Sequence, residues 1–196
     1  STALGSASNS AYYIENDGTK ITKVGGINVT ATGLSLDTIT AVNGQILTPE
    51  QIVQFKKAAE KGGNIAIGDS NSALGIRNIT LDRYSTAVGF SNVASGLGSN
   101  ALGSANKALA TNSNALGSSN TASGANSSAL GNGNTASGSD SSALGNGNTA
   151  SGSESSALGR GNDASGVYSS ALGNRNSAIG RASTALGHSS SATSTA

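Results

Sequence analysis

The chain has 196 residues, of which 35% are hydrophobic, 3% aromatic and 11% charged. Globular domains typically contain about 45–50% apolar and about 25% charged residues, so the composition argues against an ordinary enzyme core. A formal net charge of +1 without a basic stripe predicts no nucleic-acid partner, and the absence of cysteine excludes disulfides and thiolate metal sites.

The first 63 residues are predicted to form two different kinds of structure. Residues 1–11 begin with STALG, a pattern that recurs later in the chain, and are predicted to form a partial coil of a β-roll. Residues 12–63 lack that pattern and are predicted to form a small α+β insertion. Polar and apolar residues alternate around Asp17-Gly18, which indicates a β-hairpin, and further strands are expected over residues 26–47.

The insertion is predicted to end in a helix over residues 49–61. Thr48 is a suitable N-cap, Pro49 suits the first helical position, Gln51 completes a capping box, and Gly62 is the expected terminator. One helical face carries apolar residues, and we expect it to pack on the roll or to cap its end: Ile52, Phe55 and Ala59.

From residue 64 to residue 196 the chain repeats with a period of 14 residues. The unit SSALGNGNTASGSD at 127–140 is followed by the same unit with a single change, Glu154 in place of Asp140. Each unit holds two short strands of small residues, separated by an asparagine column at one turn and a serine column at the other. Two strands and two turns in 14 residues predict a flattened parallel β-solenoid, with coils about 4.8 Å apart.

Each main strand contains one larger apolar residue beside an invariant alanine. Because neighbours in a strand point to opposite faces, only one of these two columns can face the interior. The larger residues are predicted to form the roll core: Leu74, Val88, Leu102, Leu116, Leu130, Leu144, Leu158, Leu172 and Leu186. The alanine column, flanked by glycines, would allow another chain to approach closely and is predicted to form the interface between subunits: Ala73, Ala87, Ala101, Ala115, Ala129, Ala143, Ala157, Ala171 and Ala185.

The repeat [SN]-[STN]-A-[LIV]-G, with A-x-G half a coil away, resembles the YadA-like head of trimeric autotransporter adhesins. The resemblance covers STALG at the start and residues 64 to about 192. It implies an all-β, left-handed parallel β-roll, a homotrimer, and display on the outer membrane of a Gram-negative bacterium. It further implies attachment to host extracellular matrix, host cell-surface proteins or other surfaces. The segment NSAIGRAS at 176–183 lacks the valine of the collagen-binding N-S-V-A-I-G-x-S motif, so collagen is not the expected ligand.

The sequence contains no recognisable catalytic or metal-binding arrangement, and we predict neither enzymatic activity nor a cofactor. His188 is the single histidine, and the acidic residues of the repeats are too scattered to form a cation cage. No apolar run is long enough to span a bilayer, so membrane attachment is expected only through an anchor outside this segment.

Ligand contacts are expected at the turn positions that vary from coil to coil. Exposed tyrosine and arginine are common interface anchors. The candidates for ligand binding are therefore Tyr84, Tyr168, Arg77, Arg160, Arg175 and Arg181.

Two alternative functions are compatible with a solenoid. The roll could be a spacer that projects residues 12–63 as the actual binding element. More remotely, it could be an ice-binding solenoid, because Thr121, Thr135 and Thr149 line up, although Lys107 and Asp163 occupy the same column and no T-x-T ladder exists.

Overall fold

A computed structural model describes residues 2–4, 14–24, 27–42, 44–61, 63–67 and 69–193. Its architecture is a parallel β-solenoid that carries a smaller antiparallel sheet and one helix near its N-terminal end. The parallel solenoid with 14-residue coils, predicted from the period of the sequence, is confirmed.

One sheet of the solenoid consists of ten parallel strands and is called here the long-strand sheet. Its first strand, β1 (Thr2–Leu4), pairs with the strand beginning at Ser72, although the two are 70 residues apart in sequence. The other strands follow in chain order along the roll: Ser72–Ile76, Thr86–Phe90, Asn100–Ser104, Asn114–Ser118, Ser128–Asn132, Ser142–Asn146, Ser156–Arg160, Ser170–Asn174 and Thr184–His188.

The opposite sheet also has ten parallel strands, each of two residues, and is called the short-strand sheet. Apart from β1, successive strands of both sheets pair each residue with the residue 14 positions later, as Ala143 pairs with Ala157. The short strands are Ile65–Ala66, Ile79–Thr80, Val93–Ala94, Lys107–Ala108, Thr121–Ala122, Thr135–Ala136, Thr149–Ala150, Asp163–Ala164, Ser177–Ala178 and Ser191–Ala192.

The segment between β1 and the first full coil forms a five-stranded antiparallel sheet followed by a helix. Its elements are β2 (Ile14–Asn16), β3 (Ile21–Val24), β4 (Ile27–Ala31), a 3-10 turn (Leu36–Thr38), β5 (Ile39–Val42), β6 (Gln45–Ile46) and α1 (Pro49–Lys61). The predicted hairpin at Asp17-Gly18 and the capping box are confirmed. The Thr48 amide donates to Gln51 Oε1 at 2.9 Å, and the Gln51 amide donates to Thr48 Oγ1 at 3.3 Å. Tyr12, Gly26 and Gly62 lie outside the described residues.

The inserted segment packs against the outer face of the first short strands. Phe55 of α1, at 0% exposure, belongs to the same apolar cluster as Ile65, Ile79 and Val93 of the roll. From the fourth short strand onward the outer positions carry polar residues such as Lys107 and Thr121, and this cluster does not extend to them. The insertion therefore covers only the N-terminal end of the short-strand sheet.

The roll interior is built from alanine, so the predicted assignment of the two apolar columns is wrong. The alanines predicted to face another subunit are 0–2% exposed, and those from Ala87 to Ala185 pack against the alanines of the short strands in one core cluster. The leucine column predicted to be the core lies on the outer face and is half-buried or exposed, with Leu186 at 69%. The reason is the width of a 14-residue coil, in which the two sheets lie too close together to enclose more than methyl groups.

Buried asparagines form a ladder along one edge of the roll. In the coil of Asn148, the Nδ2 group donates to Asn134 Oδ1 of the preceding coil (2.9 Å), to Leu144 O (2.8 Å) and to Gly159 O of the next coil (2.9 Å). The same contacts recur in every coil from Asn92 to Asn176. The asparagine column thus lies at a turn, as predicted, and its side chains satisfy backbone groups that are buried there.

Each coil turns at two corners, and both require left-handed backbone. At the asparagine corner, the residue before each ladder asparagine has a φ of 54–65°, as at Gly147. At the serine corner, the residue before each buried serine also has a left-handed φ, as at Glu154 with a φ of 56°. Left-handed backbone directs these residues outward, so the corner positions that vary in sequence are exposed along most of the roll.

Candidate adhesion and assembly surfaces

The outer face of the long-strand sheet is an apolar surface along the roll. Its central row is the leucine column, here called the leucine row: Leu74, Val88, Leu102, Leu116, Leu130, Leu144, Leu158, Leu172 and Leu186. Next to each leucine lies a glycine whose φ is 113–118°. A Cβ atom at Gly145 would lie 2.0 Å from the carbonyl oxygen of Gly159, so this position cannot carry a side chain without moving the next coil. The face is therefore flat, with leucine as its main apolar side chain.

The six predicted ligand-binding residues lie on two opposite edges of the roll. Tyr84, Tyr168 and Arg181 lie at the serine corner, whereas Arg77, Arg160 and Arg175 lie at the asparagine corner. Within one chain they do not form a single site, because the long-strand sheet separates the two corners.

Two of the candidates come together at the C-terminal end of the serine corner. The Arg181 guanidinium lies 5.2 Å from the centre of the Tyr168 ring, which is a cation–π contact. Two further apolar side chains at this corner, Val167 at 40% and Ile179 at 50% exposure, were not predicted as contact residues. Val167 precedes Tyr168 by one residue and Ile179 precedes Arg181 by two, and this proximity in sequence could have identified both as contact residues. These four residues are called the Tyr168 patch.

The turns between the N-terminal coils and the Tyr168 patch carry small polar residues. On the serine corner, Asn112 Nδ2 donates to Asn126 Oδ1 at 3.2 Å, and Asn126 Nδ2 donates to Asp140 Oδ1 at 2.9 Å. These exposed amides stack on one another. The Tyr168 patch brings aromatic, aliphatic and cationic groups together at the C-terminal end of this corner, and Arg83 and Tyr84 place a cation and an aromatic ring at its N-terminal end.

Arg160 and Arg175 are adjacent at the asparagine corner. The Arg175 amide donates to the Arg160 carbonyl oxygen at 2.8 Å, and the Arg175 side chain lies over Gly161. Two ion pairs lie in the insertion, between Lys23 and Glu15 and between Lys56 and Asp37. Both arginines are exposed and have no carboxylate partner within the described chain.

The resolved shifts in pKa are confined to the insertion. The Thr19 hydroxyl and the amides of Thr19 and Lys20 donate to Asp17 and lower the pKa of its carboxyl to about 2. The Lys56 ammonium and then the Ser35 hydroxyl lower the pKa of Asp37. Asp17 thus stabilises the turn between β2 and β3, whereas Asp37 connects the 3-10 turn to α1 through Lys56.

Two further kinds of feature are absent from the described ranges. No group of three or more histidine, cysteine or acidic side chains there is arranged to hold a metal ion. Among the same residues, no helix has the length and apolar character needed to cross a bilayer.

Comparison with known families identifies the repeats. The family model described as YadA head domain repeat (2 copies) matches residues 83–105, 108–134, 122–148, 136–162, 150–176, 164–190 and 178–195. These matches together cover more than half of the chain. A search of curated proteins finds no match. The chain therefore belongs to the YadA head domain family, the head repeats of trimeric autotransporter adhesins.

Proposed function

We propose that the chain is a trimeric adhesive head that attaches a Gram-negative cell to host extracellular matrix, host cell-surface proteins or other surfaces. The observation that carries the proposal is the match of the YadA head repeats to a solenoid whose corners expose variable side chains. Membership in this family implies a protein anchored in the outer membrane and exposed at the cell surface. The specific attachment target and the trimer belong to the proposal.

The leucine row is the proposed interface of the trimer. Alanine is already buried inside each roll, so the remaining continuous apolar surface is the row from Leu74 to Leu186. Full burial of a leucine side chain contributes about 1.5–3 kcal/mol, and the half-buried leucines of the row would each add part of that amount. Three such faces turned toward a common axis would form one shared core.

The Tyr168 patch is the proposed contact surface for a ligand. Tyrosine and arginine provide large contact areas that remain compatible with water when no ligand is present. Val167 and Ile179 extend the patch with exposed apolar area. A protein surface with apolar and acidic groups would match this chemistry.

The proposal can be tested by displaying the chain on a non-adherent bacterium and measuring attachment to immobilised matrix proteins and to cultured cells. We expect attachment above that of the empty strain, and at least a tenfold loss with Tyr168→Ala plus Arg181→Ala. Arg83→Ala is the matched control, because Arg83 is an exposed arginine in the same column as Arg181. Equal attachment by the displayed chain and the empty strain would contradict the adhesive function.

The insertion is a second candidate for the binding element. Its exposed apolar side chains Leu34 (57%), Ile46 (83%) and Val53 (61%) favour this alternative. Deleting the insertion would uncover Ile65 and Ile79 on the roll, so surface substitutions are the cleaner test. Loss of attachment with Ile46→Lys plus Val53→Lys, but not with the Tyr168 patch variant, would make the roll a scaffold.

A further inference from the structure

We propose that neighbouring rolls in the trimer meet edge to edge and coil for coil, so that Glu154 of one protomer pairs with Arg160 of the next and Tyr84 packs on Phe90 of the next. This inference rests on the proposed trimer with the leucine row at its centre. It goes further by assigning which corner meets which, in what register, and by which side chains.

Two positions mark the edges of each long strand. The left-handed residue of the serine corner, such as Glu154, lies two residues before the strand, and the last residue of the strand, such as Arg160, lies six residues later. The ends of a five-residue strand are about 13 Å apart, so these two side chains belong to opposite edges of one roll. Neither forms an ion pair within the described chain.

Rotational symmetry determines which edges can meet. If three equivalent rolls turn the same face toward a common axis, the serine corner of one roll must adjoin the asparagine corner of the next, a head-to-tail contact that closes into a ring. An axis parallel to the roll also places equivalent coils at the same level. Each serine-corner residue then lies opposite the strand-end residue six positions later in the neighbouring chain.

The side chains at these facing positions are complementary at the same level. Tyr84 and Phe90 are aromatic and strongly exposed in the single chain, at 62% and 48%. Glu154 and Arg160 carry opposite charges, and both are exposed. Aromatic pairs and opposite charges stabilise interfaces and fix their register. A shift of one coil would leave Tyr84 opposite Ser104 in one direction and Glu154 opposite Asn146 in the other, so equal levels satisfy the aromatic pair and the charged pair together.

The consequence concerns the predicted ligand-binding residues. Tyr84 and Arg160, which were expected to contact a ligand, are instead assigned to the seam between protomers. Tyr168 shares the edge column of Tyr84 and Glu154 and lies opposite Asn174 of the next chain, so it borders the seam. Arg181 lies in the column before the edge position and is exposed. The proposed ligand surface thus adjoins the seam between protomers at this corner.

Disulfide trapping tests this register directly, since the chain contains no cysteine. The variant Glu154→Cys plus Arg160→Cys should form covalent species of three chains under mild oxidation, because each chain can link to both neighbours. The two positions cannot link within one chain, since a disulfide requires Cα atoms within about 7 Å. Each single-cysteine variant should remain unlinked. Asp140→Cys plus Arg160→Cys is the matched control for a shift of one coil and should link at least tenfold more slowly.

The outcomes separate this inference from the proposed trimer. A mass of three chains by light scattering without cross-links in the first variant would overturn the register while leaving the trimer. Faster linkage in the Asp140 control would also overturn it, as would dimers formed by a single-cysteine variant. A mass of one 18.9 kDa chain would overturn both. As a test without cysteine, Glu154→Arg should weaken assembly at least threefold at low salt, and adding Arg160→Glu should restore it.

Discussion

Removing one rung of the asparagine ladder should destabilise the roll far more than removing an asparagine two residues away. In Asn148→Ala, the Asn162 amide loses the Asn148 Oδ1 acceptor, which lies at 3.0 Å, and the structure offers it no other partner. One orphaned amide costs about 1–3 kcal/mol, and losing the two N–H donors of Asn148 Nδ2, which three acceptors share, costs about 0.5–1.5 kcal/mol for each donor. We expect a total loss of roughly 2–6 kcal/mol in the free energy of unfolding.

Asn146→Ala is the matched control in the same coil. Asn146 is exposed, and its side chain makes one contact, to Asn132 Oδ1 at 3.0 Å. Its removal should change stability by no more than about 0.5 kcal/mol. Both variants would be compared by urea unfolding followed by far-UV circular dichroism, at one fixed protein concentration because assembly contributes to stability. Similar midpoints for the two variants would refute the argument that the buried ladder holds the coils together.

Three further predictions concern the strand glycines, the two apolar columns and an acidic turn. Gly145→Ala should prevent folding of the central coils, because its Cβ atom would overlap the next coil. Gly147→Ala has open space around the new Cβ atom and should lower the free energy of unfolding by only about 1–2 kcal/mol. Thermal unfolding of the two variants compares them. Leu144→Glu should keep the fold but give the mass of single chains by light scattering. Ala143→Glu, which buries a charge in the roll interior, should lose the circular dichroism signal of the roll. Retained assembly of Leu144→Glu would refute the proposed interface. For Asp17, the lowered pKa favours the turn above the ordinary carboxyl value of 3.8, and this contribution should disappear as the pH falls toward 2, as followed by an NMR titration.

Much of the fold followed from periodicity and local turn chemistry. The 14-residue period alone placed two strands and two corners in each coil, because stacking in register is the only way for such short strands to satisfy their backbone groups. The helix bounds of the insertion followed from Thr48, Pro49 and Gln51, whose side chains and ring act locally. Local rules of this kind transfer directly from sequence to structure.

The direction of the two apolar columns was assigned wrongly for a physical reason. Alternation shows that Ala143 and Leu144 face opposite ways, but it does not show which one faces inward. The usual preference for burying the larger side chain fails in a coil this narrow. The short strands contained the missing signal, because Ala136 and Ala150 are their inward residues and an interior lined by alanine on one sheet leaves no room for leucine on the other.

The candidate surfaces could be predicted only as positions that vary along the chain. Sequence alone placed Tyr168 and Arg181 in different columns, and their contact follows from the stacking of consecutive coils at the serine corner. Conversely, residue type grouped Tyr84 and Arg160 with this pair, although Tyr84 lies at a distant coil of the same corner and Arg160 lies at the opposite corner. Residue type predicts the chemistry of a contact, whereas the stacking of coils determines which residues meet.

The construction of the coil explains why assembly and adhesion are both located on its outer positions. Methyl groups fill the interior, the asparagine ladder fixes one edge, and glycine is required beside the leucine row, so substitutions at these positions disturb neighbouring coils as well. The left-handed corner residues carry side chains as different as Gly98, Asp140 and Tyr168 on the same backbone, with φ values of 56–65°. A roll built in this way can acquire a new seam or a new ligand contact by single changes at its corners, without any change in the stacked scaffold.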